Sequence, residues 1–522
     1  MNMVAHIDRA ASQFPDRIAL SDPARSLSYA QLQQRGASIA AWLQDRGLRP
    51  GDRVAVYGPN HADYMVLLYA VLRAGGVFVP LNYRFADQDL AFVLNDSESR
   101  FLAVEGGDWE RLAPVLSGTA VEHVLVRGGR LAPGDRRLPT AVDLESLLDT
   151  PGSPEGSPVP RRDGDDALLM YTSGTTGRPK GVRQTHRNNT AAMDMVVEAW
   201  RLTARDRLLQ ALPLFHVGGL QCTTLPALAV GAETHFLPRW DGAAWLQALE
   251  AVRPTFSGLV TTMLIDVLTQ AERGERLLRP STLRFVVFGG SATPTHIPQR
   301  FEEALRVPLV ELYGQTETSG LIATYEAGER RVAGSLGRVR AAVADAVLLD
   351  PSGRVMPLRE GSTGEIAFAG DIVTPGYWRA PAETESRRVG DYLRTGDIMR
   401  VGQDGWLYYV DRADNMIVSG GENIYPAEVE EVLARHADVE AVAVVGTPHP
   451  RLVQQVTAIV VPRSPALTDA ALTAFLDEDG QLAPYKRPRR FEFVAALPKT
   501  GSGKVDRGQL QRIYGSEPHP HP

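Results

Sequence analysis

The chain has 522 residues, 44% of them hydrophobic and 22% charged, which is too long for a single core and ordinary in charge for a globular protein. With 55 Lys and Arg against 62 Asp and Glu the formal net charge is −7, and no long basic stripe appears, which argues against nucleic acid as the main partner. The single cysteine, Cys222, excludes an internal disulfide and a cysteine-built zinc site and fits a reducing cytoplasm.

Taken in chain order, the first segment mixes His, Asp and Arg with apolar residues and lacks the apolar block of a secretion signal. Ser28 opens a helix, with Gln31 placed as in a capping box and Gly47 closing it. A strand over Arg53–Tyr57 and a helix ending at Gly75-Gly76 follow. Residues 151–166 are rich in Pro, Gly, Ser and charge and read as a surface loop before a strand over 167–171. From Leu208 to Ala232 only His216 interrupts an uncharged stretch. Its length would span a membrane, but Pro213, Pro226, Gln210, Gln221 and Gly218-Gly219 break it. It reads as a buried strand, loop and helix, which leaves peripheral membrane contact open. Cys222 lies within it and reads as a small buried hydrophobe.

Beyond Asp411-Arg412 the pattern changes to a small unit with a helix over 426–436, strands over 439–445 and 456–461, and a helix over 469–476. The expectation is an α/β fold. Residues 1–411 form a large N-terminal domain of several subdomains with layered sheets and helices, and residues 412–522 a small, mobile α/β C-terminal domain.

The segment Tyr171-Thr172-Ser173-Gly174-Thr175-Thr176-Gly177-Arg178-Pro179-Lys180-Gly181 follows an apolar strand directly. Glycines let backbone N–H groups approach an anion, hydroxyls add donors, and Lys180 adds charge. It is not a Walker A loop. Counted from Gly174, Pro179 stands where the second glycine belongs, and no Ser or Thr follows Lys180. The plain alternative is a polar surface loop.

Ser173 to Lys180 resembles the signature loop of the adenylate-forming superfamily, which includes acyl- and aryl-CoA synthetases, firefly-type luciferases and the adenylation domains of peptide synthetases. Further segments resemble its motifs in the same order: Tyr313-Gly314-Gln315-Thr316-Glu317, Tyr392-Leu393-Arg394-Thr395-Gly396-Asp397, the run from Asp411 to Glu430, and Pro498 to Lys504. The resemblance reaches from the first helix to about Gly508.

That resemblance implies roles. Thr172, Ser173, Gly174, Thr175, Thr176, Gly177 and Lys180 would hold phosphates of ATP, and Thr316 would donate to the α-phosphate. Glu317 would ligate Mg²⁺, which favours one or two carboxylates beside phosphate oxygens. Tyr313 and the small-residue segment Gly289-Gly290-Ser291 would enclose adenine. Asp397 would accept from the ribose hydroxyls, with Arg412 assisting. Lys504 would steer the substrate carboxylate onto the α-phosphate. His216, Val217, Gly218, Gly219 and Met263 would line the acyl pocket, and Asp414 would be the hinge. Ser419, Gly420, Gly421 and Lys486 would meet coenzyme A. A solvated surface or a core position is the ordinary alternative for each residue alone.

The implied reaction forms an acyl-adenylate and then passes the acyl group to a thiol. Coenzyme A is the leading acceptor, a carrier-protein phosphopantetheine the nearest alternative, and a non-catalytic ligand-binding homologue a different class. Many CoA-forming relatives carry a Trp-Gly pair where this chain has Pro448 to Gln455. The small, apolar pocket residues favour an apolar acid, fatty or aromatic, in a monomer or homodimer.

Overall fold

The computed structural model describes residues 2–128, 140–148, 158–172, 178–272, 282–291, 293–340, 345–420, 422–499 and 505–515. The chain divides into two compact units, one of residues 1–345 and 368–393, the other of residues 346–367 and 394–522.

The first unit is layered α/β. Among the described residues, one sheet has seven strands, in the order Thr140–Asp143, His123–Arg127, Phe101–Glu105, Arg53–Tyr57, Val77–Leu81, Asp166–Thr172 and Lys180–Thr185. All its pairings are parallel except the last, a hairpin in which Thr172 stands opposite Lys180. A second sheet of nine described strands has a parallel centre that includes Arg207–Gln210, Phe256–Leu259, Phe285–Gly289 and Leu309–Tyr313. Parallel strands covered on both faces need continuous apolar runs, and segments such as Phe285-Val286-Val287-Phe288 supply them.

Local signals explain several elements. Ser28 Oγ accepts from the Gln31 N–H while the Gln31 side chain accepts from the Ser28 N–H, so the capping box starts the helix Tyr29–Asp45. The helix Ala62–Arg73 is buried at every position. Its one acid, Asp63, is fully enclosed and held by Arg25 Nη1 at 3.1 Å and Arg127 Nε at 2.8 Å, the pairing that a buried carboxylate requires. The uncharged stretch becomes the strand Arg207–Gln210, a loop, and the short helical pieces Val217–Gly219, Leu220–Thr224 and Leu225–Ala229. The middle piece has π-helical bonding. Gln210 Nε2 lies 2.6–2.8 Å from the Gly219 carbonyl and from the hydroxyls of Thr223 and Thr224, which themselves donate to that carbonyl. Among the described residues no helix is long and apolar enough to cross a membrane.

The second unit contains the strand Leu407–Arg412 and most of the strands Thr363–Ala369 and Tyr392–Val401, and a separate sheet of Glu422–Ile424, Ile417–Ser419, Val453–Pro462, Val439–His449 and Arg490–Phe493. Helices Pro426–Leu433 and Asp469–Asp479 pack their leucines and valines into its core with Val444, Val456 and Val460. The predicted strands are present but longer, because the antiparallel ladder runs on to His449 and back from Val453.

Candidate active site

The groups of the first unit are built from strand ends. Ser173, Gly174, Thr175, Thr176 and Gly177 lie outside the described residues, as do Gly421 and Lys504. The hairpin that brackets the phosphate segment ends at Thr172 on one side and Lys180 on the other. Lys180 Nζ is 2.8 Å from Glu383 Oε1, so its charge is engaged within the protein. Gly289 ends its strand, and a Cβ there would lie 2.3 Å from the Leu312 carbonyl oxygen. Gly290 follows, and Ser291 Oγ is 3.0 Å from Thr261 Oγ1.

Tyr313 is buried at the end of its strand, followed by Gly314. Any side chain at Gly314 would collide with the Gly320 carbonyl, 1.4 Å from an ideal Cβ, so glycine is obligatory where the chain turns back on itself. The turn Thr316–Thr318 is 3₁₀-helical and tied at three points. Gln184 Nε2 donates to the Thr316 carbonyl at 2.6 Å, the Thr374 N–H donates to the Glu317 carbonyl at 2.8 Å, and the Tyr377 hydroxyl donates to Glu317 Oε1 at 2.8 Å. Gln184 in turn accepts from Gln221, in the π-helical piece, which links the phosphate hairpin to the acyl-pocket segment. Burial, and next the Glu317 charge, push the Tyr377 phenol well above the usual tyrosine range, so it stays protonated as a donor.

Among the acyl-pocket candidates, His216 precedes the short helix and its ring lies 4.4 Å from that of Phe215, which meets Tyr83 edge-on at 5.1 Å. Gly219 is buried, and a Cβ there would lie 2.3 Å from the Pro213 carbonyl oxygen. Met263 is buried on another helix, Thr261–Glu272, in the cluster around Leu212 and Phe288. Asn60, absent from the sequence reading, braces this segment. Its Nδ2 donates to the carbonyls of Leu212 and Leu237, and its Oδ1 accepts from the Leu214 N–H. Burial raises the Cys222 thiol to about 12, so it is not a thiolate nucleophile at neutral pH.

In the second unit, Asp397 and Arg412 face each other on paired strands, with Arg412 Nη1 2.7 Å from Asp397 Oδ1. Asp414 is exposed in the turn Ala413–Asn415, 3.7 Å from Arg412 Nη2. Ser419 is buried, and the Gly420 N–H donates to the Leu452 carbonyl at 3.0 Å. Lys486 Nζ donates to both oxygens of Glu428 at 2.7 Å, so this predicted phosphate partner is paired within the unit.

Sequence reasoning missed Gln184, Tyr377, Glu383 and Asn60. Gln184 is the next-to-last residue of the strand Lys180–Thr185, Tyr377 sits in a Gly-Tyr-Trp run that reads as core, and Glu383 lies in the first turn of the short helix Pro381–Ser386. Their partners are far away in sequence, so no spacing could have revealed them.

Comparison with known proteins agrees with this arrangement. The model of the AMP-binding enzyme family matches residues 7–378, and that of its C-terminal domain matches residues 428–504. A feruloyl-CoA synthase from an Amycolatopsis species is 37% identical over 509 residues, 97% of this chain and 98% of that protein. Indoleacetate–CoA ligase from Aromatoleum aromaticum is 33% identical, with 98% of each covered. The ATP-bound crystal structure of MatB from Rhodopseudomonas palustris superposes with a TM-score of 0.87 at 29% identity over 99% of each chain. Fold and sequence thus define an AMP-forming acid–thiol ligase of the acyl- and aryl-CoA synthetase class, which uses ATP, Mg²⁺ and coenzyme A. The chain belongs to the AMP-binding enzyme family.

Among the described residues no cluster of three or more His, Cys, Asp or Glu could cage a metal. Mg²⁺ carried by a nucleotide needs only one or two carboxylates beside phosphate oxygens. Glu317 fits that need, since its Oε1 takes the Tyr377 hydroxyl and its Oε2 accepts no hydrogen bond from the described residues.

Proposed function

We propose that the chain activates an apolar carboxylic acid, aromatic or fatty, as its acyl-adenylate and transfers the acyl group to coenzyme A in the cytoplasm. The observation that carries the substrate class is the makeup of the acyl-pocket segment. Val217, Gly218, Gly219 and Met263 offer no fixed charge to a second polar group on the acid, and Phe215, whose ring meets that of Tyr83, stands two residues before Val217. The two relatives described above, named for feruloyl and indoleacetyl thioesters, support an aryl acid ahead of a fatty one.

In this reading Thr172 and the 173–177 segment, with Lys180, bind the triphosphate. Gly289, Gly290, Ser291 and Tyr313 hold adenine, and Asp397 accepts from the ribose. Thr316 donates to the α-phosphate, and Lys504 orients the acid carboxylate for in-line attack. Bound Mg²⁺ would neutralise charge on phosphate oxygens, and Glu317 is the residue that would hold it. The work of the protein is positioning and charge stabilisation, because the phosphorus centre needs little covalent help. Residues 412–522 turn about Asp414 between the two half-reactions. Gly420 and Gly421, with Ser419 and Lys486, then receive coenzyme A.

The test is AMP release with ATP, Mg²⁺ and coenzyme A across a panel of aryl-propenoic, arylacetic, benzoic and medium- to long-chain fatty acids. Turnover should be highest with an aryl acid. A preference for a short dicarboxylic acid would overturn the assignment. A holo-carrier protein used faster than coenzyme A would replace the acceptor.

A further inference from the structure

We propose that Tyr377 is a positioning residue for Glu317: its hydroxyl ties down one carboxylate oxygen and leaves the other to the divalent cation that accompanies ATP. The proposal rests on the reading of Glu317 as the metal carboxylate and deepens it.

The hydrogen bond itself is the first observation. Tyr377 is buried at 7% exposure, and its hydroxyl lies 2.8 Å from Glu317 Oε1, the one side-chain bond that Glu317 makes among the described residues. Both ends of this bond are fixed by backbone. The Thr374 N–H holds the Glu317 carbonyl at 2.8 Å, and Gln184 holds the preceding Thr316 carbonyl. On the other side, the Tyr377 N–H donates to Thr384 Oγ1 at 2.9 Å. The same stretch is stitched to the strand that leaves the phosphate segment: Arg183 N–H to the Gly376 carbonyl at 3.1 Å, Trp378 N–H to the Gly181 carbonyl at 2.7 Å, and an antiparallel bridge between Val182 and Tyr377. Gly376 has φ +141°, and a Cβ there would come within 2.4 Å of Thr384 Cγ2, so the strap packs tightly where it delivers the tyrosine.

A glutamate has three side-chain torsions, and a lone exposed one loses that freedom when it binds a cation. A neutral donor on one oxygen removes part of that freedom in advance and keeps the negative charge of the group. A phenol suits this task because a lysine or arginine would cancel the charge the metal needs. Outer partners of metal ligands commonly contribute 10–100-fold to metal affinity. A tyrosine that only filled core space would contribute nothing to it.

The test uses the full-length chain, Mn²⁺ as the probe and a non-hydrolysable ATP analogue, with the free Mn²⁺ signal followed by electron paramagnetic resonance. Tyr377→Phe keeps the ring and removes the hydroxyl. It should weaken Mn²⁺ retention by the protein–nucleotide complex roughly 10-fold, with an unchanged melting temperature, and adenylation should recover as Mg²⁺ is raised. In a Glu317→Gln background the same substitution should have no further effect on Mn²⁺, because the two residues act as one unit. Unchanged Mn²⁺ affinity in Tyr377→Phe, or equal and additive losses in the two backgrounds, would overturn the proposal. If Tyr377→Phe does not fold, Tyr377→Met, which also removes the hydroxyl, carries the same Mn²⁺ comparison in both backgrounds, and unchanged Mn²⁺ retention there overturns the proposal equally. Wild-type protein that retains no Mn²⁺ with the nucleotide is a separate failure, which sinks the assignment of Glu317 itself.

Discussion

Arg412 donates through Nη1 to Asp397 Oδ1 at 2.7 Å and to the Thr395 carbonyl at 2.8 Å, the two charged residues standing opposite each other on adjacent strands. Burial would lower the Arg412 pKa, but the Asp397 carboxylate more than offsets this and raises it. Asp397 is only 5% exposed, so removing Arg412 takes a charge-assisted hydrogen bond from a buried carboxylate. Arg412→Ala should cost about 2 kcal/mol of stability, read as a lower urea midpoint. If Asp397 binds the ribose, its KM for ATP should also rise several-fold. Arg412→Lys should restore the charge but not the second donor, and so recover only part of both. A wild-type midpoint in Arg412→Ala would show that the pair is dispensable.

The Lys180–Glu383 pair sets a second expectation. Lys180 is 19% and Glu383 30% exposed, so the pair is worth at most about 1 kcal/mol. Phosphates that recruit Lys180 must compete with Glu383. Glu383→Gln should therefore lower the KM for ATP by about 3-fold in pyrophosphate exchange, whereas Lys180→Ala should raise it. A higher KM in Glu383→Gln would mean that the acid presents the lysine and does not restrain it.

The two residues differ in how visible they are in sequence. Lys180 follows a Gly/Thr-rich loop and is legible, while Glu383 acts across some two hundred positions of chain. Local chemistry was readable in the same way elsewhere. The Ser28–Gln31 box, the Arg53–Tyr57 strand and the broken apolar stretch around His216 all appear as the residues predict, because capping, alternation and proline act over a few residues. Helix ends were less legible. The helix expected over 426–436 stops at Leu433, since its last apolar contacts end there. The return of residues 346–367 to pack with the C-terminal unit depends on strand pairing between distant segments, which no local pattern encodes. Tyr377, Gln184 and Asn60 belong to that same long-range class.

Glu311 gives the chain a defined pH response. It is buried on the strand that leads to Tyr313, and burial pushes its carboxyl up to about 8, with only partial relief from Arg331. A carboxyl in the unfolded chain titrates near 4.3. Below that value both states are protonated and the full stability is present. Between about 4.3 and 8 the unfolded chain releases a proton that the folded chain keeps, so stability is lost as pH rises through this window. Glu311→Gln removes the titration. It should raise the melting temperature at pH 8 and leave it nearly unchanged at pH 4.5, with a difference on the order of 2–4 kcal/mol. An equal shift at both pH values would show that Glu311 is already paired when charged.

The sharpest separation of the two half-reactions concerns Lys504. If its ammonium only steers the carboxylate onto the α-phosphate, it acts before the adenylate exists and has no part once AMP is the leaving group. Lys504→Ala should then reduce acid-dependent pyrophosphate exchange by at least about 100-fold, the usual loss when one preorganised donor is removed. Thioester formation from coenzyme A and a supplied acyl-adenylate should stay within a few-fold of wild type. Asp414→Pro should do the reverse, because a fixed φ at the pivot resists the turn needed for the second step but not the first. Equal loss of both steps in Lys504→Ala would place the lysine in thioester formation as well, and wild-type thioesterification in Asp414→Pro would move the pivot elsewhere.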